Sequence, residues 1–376
     1  MTPPSVLIVA GEKSGENYGA AVVRALRNRR PETSFFGIGG SSMTSAGVEI
    51  LVPMEALAVM GLVEVVAELP RILGIFRRIL VEAEARRPVA ALLIDSPDFN
   101  LRLARRLHKA GIPVLYYISP TVWAWRKGRL RTIKAAVRKM LLIFPFESKI
   151  YEQAGIPHAF VGHPLIERVR TSFGREDFFF KYGFDPARPL IALLPGSRRG
   201  EIVRHMGVLR EAAARLENER RAQFVLLQAE DLDPAFLPKL LEGPGPAIRV
   251  LNKDGYEAVA ASDVVLSACG TANLEAALLG IPLVAFYRIS PLTYVLGRPF
   301  VRIRNYSIVN ILAGRRVVPE LIQKDMTAAA LVGETARLLD DAGARQDMKD
   351  AFALLRSSLG TERASENAAR ELAALF

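Results

Sequence analysis

Short apolar runs alternate with helix-length amphipathic stretches along almost all of this 376-residue chain, and the alternation restarts half-way. Few folds accept that pattern. A strand buried on both faces reads as an unbroken apolar run, and a parallel neighbour is reached only through a crossover helix, so the chain is read as layered α/β. In the first half, strands are predicted at 6–10, 35–38, 90–95, 114–119, 140–144 and 159–161, with helices between them such as 18–29 and 100–110. The second half repeats the scheme with strands at 190–195, 224–228, 248–251, 264–268 and 283–287 and helices at 200–218 and 272–279. Between the halves, 162–189 is rich in charge and aromatics and carries Pro164, Pro186 and Pro189. A linker near Phe173 gives two doubly wound domains, 1–172 and 173–341, followed by an Ala-rich helical tail, 342–376, that packs back on the first domain. In such sheets ligands bind in the crevice at the carboxyl ends of the strands.

Composition removes several function classes. Half of the residues are hydrophobic, enough for two cores, and the single cysteine, Cys269, excludes an internal disulfide and any Cys-based zinc cluster. The four histidines (108, 158, 163 and 205) have no H-x-x-x-H spacing, so neither a metal site nor a cofactor is expected. The first strand starts at once, with no basic n-region before it, and the most apolar stretch, 51–80, is broken by Glu55, Glu64, Glu68, Arg71, Arg77 and Arg78. No signal peptide and no spanning helix are expected, and the location is read as cytoplasmic. Fifty Lys+Arg against 39 Asp+Glu leave a net charge of +11, which favours anionic partners. No nucleic-acid module is recognisable, and the basic residues are dispersed, so no nucleic-acid partner is expected.

Five loop segments carry candidate chemistry. Ala10-Gly-Glu-Lys-Ser-Gly15 follows the first strand and opens a helix. It is either a ligand loop at a helix N-terminus or a tight turn, and it matches neither G-x-x-x-x-G-K-[ST] nor G-x-G-x-x-G. In Asp95-Ser-Pro-Asp-Phe-Asn100, Asp98 reads as a first-turn helix acid. Asp95 ends a buried strand, where a carboxylate is costly without a partner or a task, and general base is such a task. Ser119-Pro-Thr-Val-Trp-Ala-Trp-Arg126 holds both tryptophans, as packing anchors or as the wall of a sugar or acyl pocket. Leu194-Pro-Gly-Ser-Arg198 precedes a helix, and Arg198 suits a diphosphate, with Arg199 solvated. In Ala268-Cys-Gly-Thr-Ala-Asn-Leu-Glu275, Gly270 and Thr271 suit phosphate and Glu275 a ribose diol, while Cys269 reads as an apolar filler.

Two further segments have competing readings. Asp231-Leu-Asp233 matches a metal-chelating D-x-D, but Asp233-Pro234 also reads as a helix start. The stretch 69–80, apolar with interspersed arginines, is either an interfacial helix meeting anionic headgroups or an amphipathic helix on the domain core.

Together with Leu57-Ala-Val-Met-Gly-Leu-Val-Glu-Val65, Phe160-Val-Gly-His-Pro164 and Asn310-Ile-Leu-Ala-Gly-Arg315, these segments resemble the lipid-A-disaccharide synthases over nearly the whole chain. The Val-Trp-Ala-Trp-Arg run is the most specific part. The resemblance implies a GT-B fold, two Rossmann-like domains facing a central cleft with C-terminal helices packing back on the first. It implies an inverting transfer of 2,3-diacylglucosamine from UDP to the 6-hydroxyl of 2,3-diacylglucosamine 1-phosphate, without a cofactor. By position, Asp95 matches the proposed base, with Ser14 and Gly15 near the reaction centre; Arg198, Glu201, Gly270, Thr271, Glu275 and Asn310 fall to the UDP-sugar. Met60, Val63, Trp123, Trp125 and Arg126 fall to the acceptor and its acyl chains.

Such substrates imply work at the inner face of the inner membrane, on anionic lipid, and the family's exchange of C-terminal helices allows a homodimer. The sequence departs from the pattern at Glu16, where Asp is expected, and at Cys269, where serine commonly precedes Gly-Thr. Two other readings compete. A UDP-N-acetylglucosamine 2-epimerase or a peptidoglycan glycosyltransferase keeps the Arg198 and Glu275 logic without an acyl site. A basic membrane- or nucleic-acid-binding protein needs no UDP.

Overall fold

The structure is a computed structural model that describes residues 3–57, 62–123, 128–229, 232–290, 294, 305–360 and 363–376, with backbone only for 62–68. The chain divides into two compact units, residues 1–167 with 359–376, and residues 168–358.

The first unit is a seven-stranded parallel sheet in the order β3-β2-β1-β4-β5-β6-β7. Its strands are β1 (Ser5–Ala10), β2 (Ser34–Gly39), β3 (Val48–Pro53), β4 (Ala90–Ile94), β5 (Val114–Tyr117), β6 (Lys139–Leu142) and β7 (His158–Phe160). Every residue of β4 is buried, as its unbroken apolar run requires. Successive side chains of β1 enter opposite layers: Leu7 and Val9 join one core, and Val6, Ile8 and Ala10 the other. The helices that follow β1 to β5 are α1 (Lys13–Arg29), α2 (Ser41–Ser45), α3 (Leu62–Arg86), α4 (Pro97–Lys109) and α5 (Arg129–Ala136). α1 covers one face of the sheet through Val22, Val23 and Leu26, and α3, α4 and α5 cover the other through Ile75, Ile79, Leu103, Leu107 and Ile133.

The second unit is a six-stranded parallel sheet in the order β10-β9-β8-β11-β12-β13. Here β8 is Leu190–Leu194, β9 Gln223–Leu227, β10 Ile248–Leu251, β11 Val264–Ala268, β12 Leu283–Tyr287 and β13 Glu320–Ile322. Two strands escape the sequence reading. β3 mixes buried and exposed positions beside a register shift in β2, and β13 has only three residues, so neither reads as an apolar run.

The unit boundary falls at Glu167/Arg168 rather than at 172/173, because the Ser172 amide already donates to Glu257 of the second unit, at 2.8 Å. The tail also divides differently. Helix Ala342–Ser358 stays in the second unit, burying Met348 and Phe352 there. Only the last stretch returns. Helix Ala364–Ala373 sets Ala368, Ala369 and Leu372 into the α1 layer, Glu371 pairs with Lys139 at 2.6 Å, and Ser365 donates twice to Glu167.

α3 packs on the domain core, as the amphipathic reading of the arginine-flanked stretch expects. It runs for 25 residues through Pro70, with Ile75, Ile79 and Ala83 in the core. Its outer face shows Leu69, Leu73 and Val81 at 43, 45 and 63% exposure. No described helix is long and apolar enough to cross a membrane.

Candidate active site

In the first unit the strand order reverses between β1 and β4, which pair in register up to Ala10 and Ile94. The loops leaving these two strands therefore emerge side by side, at the position where an open parallel sheet binds its ligand. One is the 11–15 loop, and the other is Asp95-Ser96. The contact is close: a Cβ on Gly11 would run into Ser96 Oγ, so a larger residue there would have to displace that side chain.

β4 stops at Ile94, and Asp95 turns the chain. Asp95 and Ser96 both take left-handed backbone angles, φ 48° and 44°, which cost about 1–2 kcal/mol each for residues with a Cβ. Such strain persists where surrounding structure holds it, and it gathers at functional sites. Two donors clamp the Asp95 carbonyl, the Tyr116 hydroxyl at 2.5 Å and Asn100 Nδ2 at 2.9 Å. With its main chain fixed, the Asp95 carboxyl sits at the strand mouth. Burial, reinforced by the charge of Glu12 in the facing loop, raises its pKa to about 6, against the pull of the Ser96 amide and Arg129. A carboxyl tuned close to neutrality is suited to taking a proton from a hydroxyl. Asp98 stands in the first turn of α4, exposed, and pairs with Arg129 at 2.7 Å.

The rest of the first loop is divided between the site and the scaffold. Ser14 is exposed at the start of α1, while Gly15 is buried against Ile94, which makes it a packing position of α1 on β4. Glu16, fully buried, accepts from the amides of Ser42 and Met43 at 2.7 and 3.3 Å and pairs with Lys13 at 2.8 Å. It thus caps α2 from outside, and the extra methylene over Asp lengthens its reach to that helix.

Trp123 is half-buried, and its ring meets Phe146 edge-on at 5.6 Å, with Phe146 stacked on Phe144 and Phe144 against His163. His163 of the Gly-His-Pro segment accepts from the Leu165 amide, and burial lowers its pKa to about 3, so it stays neutral. Met60, Trp125 and Arg126 lie outside the described residues, as does Asp231, and of Val63 only the backbone is described, inside α3. Asp233 accepts from the Ala235 amide at 2.9 Å, a turn leading into helix Phe236–Leu241.

Glu147 carries a signal the sequence reading passed over. It opens helix Glu147–Gln153 and is 1% exposed; burial raises its pKa to about 8, against hydrogen bonds from Ser119 and the Phe144 backbone. Ser119 in turn shares a hydrogen bond of 2.7 Å with the Tyr151 hydroxyl, so a protonated acid braces the start of the tryptophan loop. The folded chain holds a proton here that the unfolded chain loses in the ordinary carboxylate range. The stabilisation is therefore full at acid pH and is lost as pH rises to about 8, a change on the order of 5 kcal/mol. In Glu147→Gln the neutral isostere removes that dependence, so the melting temperature falls less between pH 6 and pH 9 than in the wild type. Equal slopes in the two proteins exclude Glu147 as the group responsible.

The second unit repeats the arrangement. Its order reverses between β8 and β11, paired as far as Leu194 and Ser267, so the loops at 195–198 and 269–270 leave neighbouring strands. Gly196 turns with φ 120°, and a Cβ there would press on Glu201 Oε2 at 3.1 Å. Helices Arg199–Arg220 and Thr271–Leu278 begin at these loops, and neither has a side-chain cap, which leaves their first amides available to an anion. Arg198 is 63% exposed and reaches Glu201 at 3.3 Å. Glu201 also accepts from the Tyr287 hydroxyl at 2.8 Å, which ties the arginine to the end of β12. Thr271 and Gly270 are exposed, with open space above Gly270.

One turn on, Glu275 accepts from Tyr256 at 2.9 Å, and burial raises its pKa. Burial pushes the Cys269 thiol up as well, which leaves it protonated and unreactive. Arg199 is exposed, as expected, with its guanidinium over the Phe236 ring, 4.5 Å from its centre. His205, fully buried, was not singled out by sequence. Its Nδ1 donates to the Pro195 carbonyl at 2.7 Å and its Nε2 accepts from the Arg288 amide at 3.1 Å, so a neutral ring fastens the arginine loop to the chain after β12.

Asn310 stands apart from this group. Its Nδ2 donates to the Val318 carbonyl and Glu320, and its Oδ1 accepts from the amides of Val317 and Val318, at 2.7–2.9 Å. That fills its capacity, so the side chain braces 310–320 instead of offering groups to a donor.

The model of the lipid-A-disaccharide synthetase family matches residues 6–375. The chain belongs to the lipid-A-disaccharide synthase family. A synthase of Solibacter usitatus is 44% identical over 95% of this chain and 93% of its own length. One from Myxococcus xanthus is 43% identical over 100% and 98%. Among solved structures, the UDP-GlcNAc 2-epimerase of Neisseria meningitidis bound to UDP-GlcNAc superposes with a TM-score of 0.69 at 13% identity, covering 98% of this chain and 100% of that one. MurG of Acinetobacter baumannii gives 0.59 at 15% over 99% and 100%. At such identity these structures speak for the fold alone, the two-sheet α/β architecture of GT-B glycosyltransferases. As a lipid-A-disaccharide synthase the chain is a hexosyltransferase that forms the lipid A disaccharide.

Proposed function

We propose that the synthase transfers 2,3-diacylglucosamine from UDP to O6 of 2,3-diacylglucosamine 1-phosphate, with Asp95 as the base. The observation that carries this is the Asp95 carboxyl, held on a clamped left-handed turn at the first sheet's switch point with its pKa raised to about 6. UDP-sugars are α-linked and the product is β-linked, so one in-line displacement and one base are enough. Asp95 takes the proton of the acceptor hydroxyl, O6 bonds to the anomeric carbon, and the bond to the diphosphate breaks with its electron pair leaving on UDP. Charge grows on the diphosphate. Arg198 and the uncapped amides at Gly270 and Thr271 are assigned to that charge and Glu275 to the ribose hydroxyls; support comes from the loops' departure at the second reversal of strand order. Glu201 and His205 position the arginine loop, Asn310 braces 310–320, and Ser14 is assigned to the first loop near the reaction centre. Trp123 and the 57–66 segment are assigned to the acyl chains.

Substrates of this kind lie in a bilayer, so the enzyme works at the inner face of the inner membrane, resting on the outer face of α3. Support comes from its exposed Leu69, Leu73 and Val81, which arginines accompany. The test is product analysis with the two acylated glucosamines. UDP and a β-1′,6 disaccharide are expected in equal amounts. Equal turnover of non-acylated UDP-N-acetylglucosamine, or epimerisation without disaccharide, would sink the assignment.

A further inference from the structure

Away from Asp95, on the sheet face covered by α3, α4 and α5, a cavity of about 660 Å³ opens between helices. Arg102, Arg105, Arg106 and Lys109 line it from α4, joined by His108, and Phe76 of α3 forms part of its wall. Residues 102, 105, 106 and 109 recur at i, i+3, i+4 and i+7, which brings four cations onto one helical face. None of the four has an acidic partner among the described residues; Arg105 donates to Thr132 Oγ1 at 2.6 Å, which fixes its direction. Four like charges on one face repel one another and lower the stability of the helix. Nothing in the sugar-transfer chemistry uses them. The wall is mixed: Phe76, itself edge-on to Phe99 at 5.7 Å, and two alanines of α5 give apolar surface beneath the cations. Phe76 also belongs to the helix whose outer face exposes Leu69, Leu73 and Val81.

We propose that this cavity binds the phosphate headgroup of an anionic phospholipid while the exposed face of α3 enters the bilayer beside it. Resting on the membrane reading above, this adds a defined site to it. The amphiphilic construction argues for lipid. A phosphate meets the cations, its glycerol backbone meets Phe76 and the alanines, and the acyl chains continue along Leu69 and Leu73. A nucleic acid would require a long basic track with no apolar face adjoining it.

Vesicle binding tests the proposal, with phosphatidylcholine vesicles compared against the same vesicles containing phosphatidylglycerol. The wild type is expected to prefer the anionic vesicles. A cation at such a surface contributes about five-fold in affinity, so Arg102→Gln/Arg106→Gln should weaken binding about thirty-fold. Arg24→Gln/Arg29→Gln removes the same charge from α1 on the opposite face of the sheet, and should change binding by no more than about two-fold because of screening. Melting temperatures of both doubles, and their turnover of substrates dispersed in neutral detergent, should match the wild type. Equal losses from the two charge pairs, no anionic preference in the wild type, tighter capture of duplex RNA than of vesicles, or a fall in detergent turnover for the cavity double each overturn the headgroup site. A wild-type chain that binds neither vesicle overturns the membrane reading with it.

Discussion

Asp95→Asn should lower kcat by about 10²–10⁴ while leaving the KM for the UDP-sugar close to wild type. The amide is isosteric, so the clamps on the main-chain carbonyl from Tyr116 and Asn100 stay in place, and the fold is not the variable. What is lost is the acceptor for the proton of the attacking hydroxyl. The pH profile provides a second reading of the same group. A base with a pKa raised to about 6 is charged and competent above that value, so kcat/KM should fall about ten-fold per unit as pH drops below it. Glu12 contributes to that elevation through its charge, so in Glu12→Gln the acid limb should move to lower pH. Steady-state kinetics between pH 4.5 and pH 8 reads all three quantities. Near-normal turnover in the Asn variant, or an acid limb that survives in it unchanged, removes Asp95 from the role of base.

Arg198→Ala should cost about 10²–10³ in kcat, the range for removing one preorganised group from a developing charge. In the free enzyme Arg198 is 63% exposed and pairs only loosely with Glu201, so its loss should hardly alter the melting temperature. Its contribution appears when a diphosphate binds, and appears in full when the bond to that diphosphate breaks. Arg198→Lys retains the charge but not the planar fork that matches two phosphate oxygens, so it should recover only part of the rate. UDP inhibition provides the control. If the Ala variant binds UDP and turns over as the wild type does, the diphosphate lies elsewhere.

Much of the scaffold was legible because its strands are buried on both faces. β1, β4, β5, β8 and β11 read as apolar runs, and small residues, acids and arginines mark the loops after β1, β4, β8 and β11 as candidate ligand segments. β3 and β13 were not legible, one half-exposed beside a register shift and the other three residues long. Asn310 illustrates the limit of position matching: the residue type suited a sugar ligand, but four internal hydrogen bonds occupy it. Glu147 and His205 illustrate the converse. Nothing in their neighbours announces a buried acid above a tryptophan loop or a neutral ring between two strand ends, because both depend on residues far away in sequence.

By itself the sequence determined the two doubly wound sheets and the family, and it named Asp95 and Arg198 as candidates, since hydrophobic period and local motif are properties of neighbouring residues. Only the tertiary structure decided that Asp95 sits on a left-handed turn beside Glu12, that Glu16 caps α2, and that the helical tail splits between the units. It also decided that four cations of α4 share one cavity with Phe76. Each of these is a meeting of segments separate in the chain. Strand order and helix packing bring such segments together, and no local pattern encodes the meeting.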